Sequence, residues 1–151
     1  MHPGINNFSE IGKLNKVLLH RIGHEVEGLV PDNFARLLFD DIPFLAQAQK
    51  EHDAFAKLLR DNGVEVVYYV EETAKAISTP ELKKAFLNDI LDESNLNSAA
   101  VREAIFDYLY AMPEKEMVSK IISGVRKEDI GIFEAKRLRS EERRVGKECR
   151  S

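Results

Sequence analysis

The sequence holds one cysteine, Cys149, in 151 residues. A single thiol excludes an internal disulfide framework and fits a reducing compartment. There is no excess of positive charge: 22 Lys and Arg stand against 26 Asp and Glu, a net charge of −4. Nucleic-acid partners favour a basic face, so that class is not expected. No apolar run approaches the roughly 20 residues that span a bilayer, and no membrane partner is expected. The start, Met1-His2-Pro3-Gly4, lacks the basic region and apolar core of a secretory leader, and the single thiol fits a reducing cytoplasm. Neither Gly-rich phosphate signature, G-x-x-x-x-G-K or G-x-G-x-x-G, occurs. His20, His24 and His52 fall at no recognised metal spacing, with no thiol beside them. No metal site is expected from these residues. Internal repeats and low-complexity tracts are missing as well.

Apolar residues make up 44% and charged residues 32%, ordinary for a globular domain with a real core. Residues 1–12 are polar and turn-prone. Val17-Leu18-Leu19, between Lys16 and His20-Arg21, reads as a short buried strand. Gly23, Gly28 and Pro31 predict a loop, and residues 33–39 a short helical turn. Pro43 suits the first turn of a helix, where its missing N–H is no loss. That helix is predicted to reach about Asp61, with Leu45, Ala48, His52, Phe55 and Leu59 forming an apolar stripe. Asn62-Gly63 supplies a stop. Residues 64–70, Val-Glu-Val-Val-Tyr-Tyr-Val, are β-branched and aromatic and predict a second strand. Strand, long helix, strand implies an α/β core.

After Val70 the pattern becomes helical. Thr79-Pro80-Glu81 is a capped start, followed by Leu82, Phe86 and Ile90 on one face. Asn97-Ser98 opens a second helix carrying Val101, Ile105, Tyr108 and Leu109. Pro113 opens a third carrying Met117, Val118, Ile121 and Ile122, closed by Gly124. Residues 71–130 therefore read as a small helical bundle inserted after the second strand.

The stretch Leu37-Leu38-Phe39-Asp40-Asp41-Ile42-Pro43-Phe44 sets two carboxylates inside an apolar frame. One reading has an acid holding a cationic group, an ammonium or guanidinium. The other has the acids capping the helix near Pro43, which local pattern alone favours. The two are compatible. His52, on an apolar stripe, reads as a structural histidine. His20-Arg21 reads as a strand-end charge pair rather than an anion site. Tyr108-Leu109-Tyr110 reads as core and surface of the bundle. No complete catalytic constellation emerges from these residues.

Residues 139–151, Arg-Ser-Glu-Glu-Arg-Arg-Val-Gly-Lys-Glu-Cys-Arg-Ser, differ in character, with five basic and three acidic residues and no apolar period. They coincide residue for residue with the in-frame translation of a common sequencing adapter. We read them as an adapter-derived artefact and set them aside. Residues 1–138 then carry 17 basic and 23 acidic residues, a net of −6, and Cys149 is no candidate nucleophile. The remainder reads as the front of a longer protein.

Three ordered blocks carry a resemblance. Residues 8–21 (Phe-Ser-Glu-Ile-Gly-Lys-Leu-Asn-Lys-Val-Leu-Leu-His-Arg), residues 36–45 (Arg-Leu-Leu-Phe-Asp-Asp-Ile-Pro-Phe-Leu) and residues 49–55 (Gln-Lys-Glu-His-Asp-Ala-Phe), with Gly63-Val64-Glu65-Val66 after them, resemble the arginine deiminase family. The helical stretch after Val70 resembles that family's characteristic insertion, with Gly124-Val125 at its close. The likeness covers about residues 1–130. It implies a pseudo-fivefold α/β propeller (pentein), here partial, with an inserted helical bundle. Residues 1–70 would begin the propeller, 71–130 form the insertion and 131–138 return toward the propeller. It implies hydrolysis of L-arginine to L-citrulline and ammonia in arginine catabolism. The route is a cysteine thiolate and a covalent thiouronium, with a histidine-activated water and no cofactor, in a protein expected to be homo-oligomeric. The family's catalytic Cys, His and guanidinium-binding acids match no position here, so no catalytic residue is assigned and the chain alone is expected to be inactive. What carries over is substrate binding. The Leu38 carbonyl and the Asp41 carboxylate would border the pocket, with Asp41 near either the α-ammonium of arginine or an active-site arginine. A non-enzymatic α/β-helical binding module is the alternative. A relative acting on another guanidino substrate is disfavoured by the insertion.

Overall fold

A computed structural model describes residues 9–28, 41–131 and 133. β1 is Lys16–Leu19 and β2 is Glu65–Tyr68. They pair in parallel, with Val17 opposite Val66 and Leu19 opposite Tyr68. The ladder extends by one bond, from the Glu65 N–H to the Asn15 carbonyl at 2.9 Å. Parallel pairing requires a long crossover, and helix α1 (Leu45–Asp61) lies between the two strands in sequence. The expected strand–helix–strand order is therefore present. Where Gly23 and Gly28 predict a loop, His24–Gly28 forms a 3-10 helix that buries Val26.

Side chains alternate across β1: Val17 and Leu19 are half-buried, whereas Leu18 is 54% exposed. α1 covers the sheet with Leu45, Ala48, Gln49, His52, Ala56 and Leu59, of which Ala56 is fully buried. The predicted stripe holds at Leu45, Ala48, His52 and Leu59 and misses at one position. Phe55 is half exposed, because Ala56 takes the inward position beside it.

Two boundaries differ from expectation. α1 begins at Leu45 with Phe44 at the N-cap, so Pro43 lies before the helix rather than in its first turn. No side chain caps it; the Phe44 carbonyl accepts from the Gln47 and Ala48 N–H groups at 3.0 Å. β2 is shorter than its β-branched run, because Tyr69 and Val70 already belong to the helix α2 (Tyr69–Ala76). The C-terminus of α1 follows prediction. Gly63, at φ +79, donates to Arg60, and the next N–H, of Val64, reaches back to Leu59. This is a Schellman closure, and it buries Val64 at the entry to β2.

Helices α3 (Pro80–Glu93), α4 (Ala99–Tyr110) and α5 (Glu114–Ser123) follow. Their starts obey local chemistry. The Thr79 hydroxyl accepts from the Leu82 N–H and the Ser98 hydroxyl from the Val101 N–H, both at 3.4 Å. Pro113 precedes α5, and Gly124 ends it at φ +83. The main core lies in these helices and α2: Ile77, Leu87, Leu109, Met117 and Val118, with Val70, Phe86, Ile105, Tyr108 and Ile121 against it. Leu82 and Val101, predicted on inner faces, are about half exposed at 51% and 48%. In α3 Phe86 and Ile90 are half-buried as predicted, and the buried positions are Lys83, Leu87 and Leu91. Lys83 is buried because its ammonium has partners. It donates to the Met112 carbonyl, lies 3.3 Å from Glu114 and sits 5.1 Å from the Tyr110 ring centroid. Residues 127–131 are helical again.

Candidate functional site

Both parallel strands end at one place. His20-Arg21 follows β1, and Tyr69-Val70 follows β2. Open parallel sheets place their ligand sites beyond the carboxyl ends of the strands. Here that edge, the 3-10 helix and α5 enclose a cleft of about 410 Å³, lined by His20, Arg21, Glu25, Tyr108 and Glu116 among others. A second hollow of about 340 Å³ shares Arg21, Gly23, Val70 and Ser119 with it and adds Gln49 and Tyr68.

Most charges around these hollows are paired. Arg21 grips Asp53 bidentately, Nε to Oδ1 at 2.8 Å and Nη2 to Oδ2 at 2.9 Å. Its hydrogen bond to Arg21 holds the Asp53 carboxyl below the usual range. Glu25 Oε1 accepts from the Gly23 N–H at 2.7 Å and lies 2.8 Å from His20 Nε2. Burial alone pushes the Glu25 carboxyl up, but these donors and its own N–H outweigh it and hold the group low. A Cβ at Gly23 would meet Glu25 Oε2 at 2.8 Å, so a side chain there would displace the Glu25 carboxylate. Lys120 pairs with Asp129, and Lys115 with Glu71, each at 2.7 Å. These bonds depress both carboxyls. The cations are thus engaged by neighbouring acids, and the strand-end charge-pair reading of His20-Arg21 fits this geometry. Among the described residues, no cluster of three His, Cys, Asp or Glu can hold a metal ion.

These pairings set a pH response. A carboxyl depressed in the folded state stabilises fully above its unfolded pKa and loses that contribution as pH falls through the folded value. The melting temperature is expected to stay flat from about pH 7 to about pH 5 and to fall below about pH 4, where the unfolded carboxyls protonate. Asp129→Asn is expected to flatten that acid limb, measured by thermal melts across the range.

The sequence-assigned site residues fare unequally. Leu38 and Asp40 lie outside the described residues. Asp41 is exposed at the entry to α1, and its Oδ1 accepts the Ile42 N–H at 2.7 Å. It does not cap α1, which corrects the capping expectation for this residue. Its oxygen is taken by the adjacent amide, and the helix starts four residues on. His52 is half-buried as expected for a structural histidine, with its ring 5.9 Å from Tyr68. Its Nε2 is buried without a hydrogen-bond partner among the described residues. Leu109 is core and Tyr110 is surface, stacked on Phe106 at 5.5 Å. Tyr108 instead lines the larger cleft, where burial pushes its hydroxyl pKa up. The Arg21–Asp53 clamp joins residues 32 apart and has no local signature.

Known proteins supply the family. The family model described as arginine deiminase matches residues 35–147, which includes Leu38 and Asp41 and reaches into the adapter-like segment. Arginine deiminase of Limosilactobacillus fermentum (strain NBRC 3956 / LMG 18251) is 52% identical over 132 residues, 87% of this chain and 32% of the relative. Arginine deiminase of Streptococcus pyogenes is 50% identical over 127 residues, 83% of this chain and 31% of the relative. The chain thus spans about a third of the length of the curated relatives it matches. With a match over most of its length, this chain belongs to the arginine deiminase family.

Proposed function

We propose that this chain is the N-terminal part of an enzyme that hydrolyses L-arginine to L-citrulline and ammonia. The observation that carries the reading is the family match over residues 35–147, which contains the pocket block Leu38–Asp41. In the proposed reaction a cysteine thiolate from a later segment attacks the guanidinium carbon. Ammonia leaves, and a covalent thiouronium remains. A histidine-activated water adds to that carbon, and the thiolate is expelled as citrulline forms. Two carboxylates, also from later segments, hold the planar guanidinium in bidentate fashion.

This chain's share is one wall of the pocket. The Leu38 carbonyl and the Asp41 carboxylate face the amino-acid end of the substrate. Asp41 suits such a role: it is exposed, and one of its oxygens is anchored by a backbone N–H. An acid fixed in this way can meet either an ammonium or an active-site guanidinium.

The β1–α1–β2 unit is proposed as the opening of a pseudo-fivefold α/β propeller, with α2–α5 as its helical insertion. The open face at Leu18 supports this, since two-stranded parallel sheets do not stand alone. The enzyme is proposed to be cytoplasmic and homo-oligomeric. Among the described residues no helix is long and apolar enough to cross a membrane.

Reading the gene past codon 138 tests the proposal. The expected result is a frame that continues through acidic, histidine and late cysteine residues. A natural stop codon there would favour the binding-module alternative instead.

A further inference from the structure

The small side chains under α1 raise a question of register. Ala48 and Ala56 face the sheet, and alanines present little relief against a slide along the helix axis. Two polar ties oppose such a slide. Gln49 Nε2 donates to the Ile22 carbonyl at 2.9 Å. One turn later, Asp53 receives the bidentate grip of Arg21. Residues four apart share a helix face, so both ties join the same side of α1 to the two residues beyond His20 at the end of β1.

The link from α1 to Asp41 is short and stiff. Pro43 fixes its own φ and restricts Ile42 before it. The Asp41 carboxylate is pinned to the Ile42 N–H, and the Phe44 carbonyl is already bound into the first turn. A shift of α1 along its axis therefore carries Asp41 with it. We propose that Arg21, Asp53 and Gln49 are positioning residues, which set the register of α1 on the strand end and so place the Asp41 carboxylate. The inference rests on the proposed function only for what Asp41 meets.

Arg21 and Asp53 have side chains 43% and 51% exposed. An exposed ion pair adds little to global stability, so these residues separate placement from folding. Their geometric demand is a fork, which lysine cannot supply.

The experiment uses the full-length product of the gene and two readouts. Asp53→Asn and Arg21→Lys are expected to raise KM for arginine about tenfold, with kcat within about twofold, because misplaced binding groups weaken substrate binding. The double reversal Arg21→Asp/Asp53→Arg is expected to recover most of that loss. Hydrogen exchange in the peptide spanning residues 41–47 is expected to quicken about tenfold in Asp53→Asn, with α5 unchanged. Lys57→Gln, which removes the Lys57–Asp61 pair elsewhere on α1, serves as control and is expected to change neither readout. Unchanged exchange at 41–47, or a loss of kcat with KM intact, would overturn the positioning role. Quickened exchange at 41–47 in Asp53→Asn, beside a wild-type product that never turns over arginine, overturns the proposed function and leaves the positioning role standing.

Discussion

Incubated with L-arginine, the purified 151-residue chain is expected to release no measurable citrulline. Its rate should lie at least about 10⁴-fold below that of the full-length product, the scale of losing a covalent nucleophile. The proposed reaction needs a thiolate. The chain's one thiol, Cys149, sits in the adapter-like segment, outside the blocks that resemble the family. The cleft at the strand ends offers no thiol, and its Arg21, Lys120 and Glu25 side chains are engaged by Asp53, Asp129 and His20. Asp41 can bind a cation, but it cannot form the thiouronium. Citrulline formation that survives Cys149→Ser, assayed by colour development or mass spectrometry, would contradict this division of labour.

The second large effect concerns the helical unit. Leu87→Ala is expected to cost about 3 kcal/mol, in the range of buried leucine truncations. Leu87 has no exposed surface and packs with Ile77, Leu109, Met117 and Val118, all within α3–α5 and the end of α2. Such a loss is a large share of the roughly 5–15 kcal/mol that holds a domain. Leu82→Ala, on the half-exposed face of the same helix, is expected to cost under about 0.5 kcal/mol. Because the main core is made within these helices, a peptide of residues 69–125 is expected to melt cooperatively. Thermal denaturation followed by circular dichroism measures all three. Equal costs at Leu82 and Leu87 would show that this core is not the source of the stability.

Features with local causes were legible in the sequence. Thr79-Pro80 and Ser98 mark helix starts because one hydroxyl satisfies one nearby N–H. Gly63 and Gly124 mark stops because each takes a positive φ that a side chain would strain. Features set by competition or distance were not. Asp41-Ile42-Pro43 looked like a cap followed by a first turn, yet the Ile42 N–H took the carboxylate. Tyr69-Val70 looked like strand, but the chain turns into α2 once Tyr68 has paired with Leu19. Helix periods were correct, whereas their phase depended on which neighbour lay inward, as with Ala56 beside Phe55 and Leu87 in place of Leu82. The clamp between Arg21 and Asp53 needs the fold to bring its halves together. At the candidate site, the apolar frame drew attention to the acidic pair, but only resemblance separated Asp41 from Asp40 and added Leu38, because their proposed partners lie on later segments.

Arginine turnover by the full-length product of the gene tests the central claim most directly, with citrulline and ammonia measured together. The account predicts one ammonia per citrulline and a KM raised about tenfold or more by Asp41→Ala, the effect of removing a charged substrate contact. A full-length product with an intact cysteine and histidine that leaves arginine untouched would contradict it.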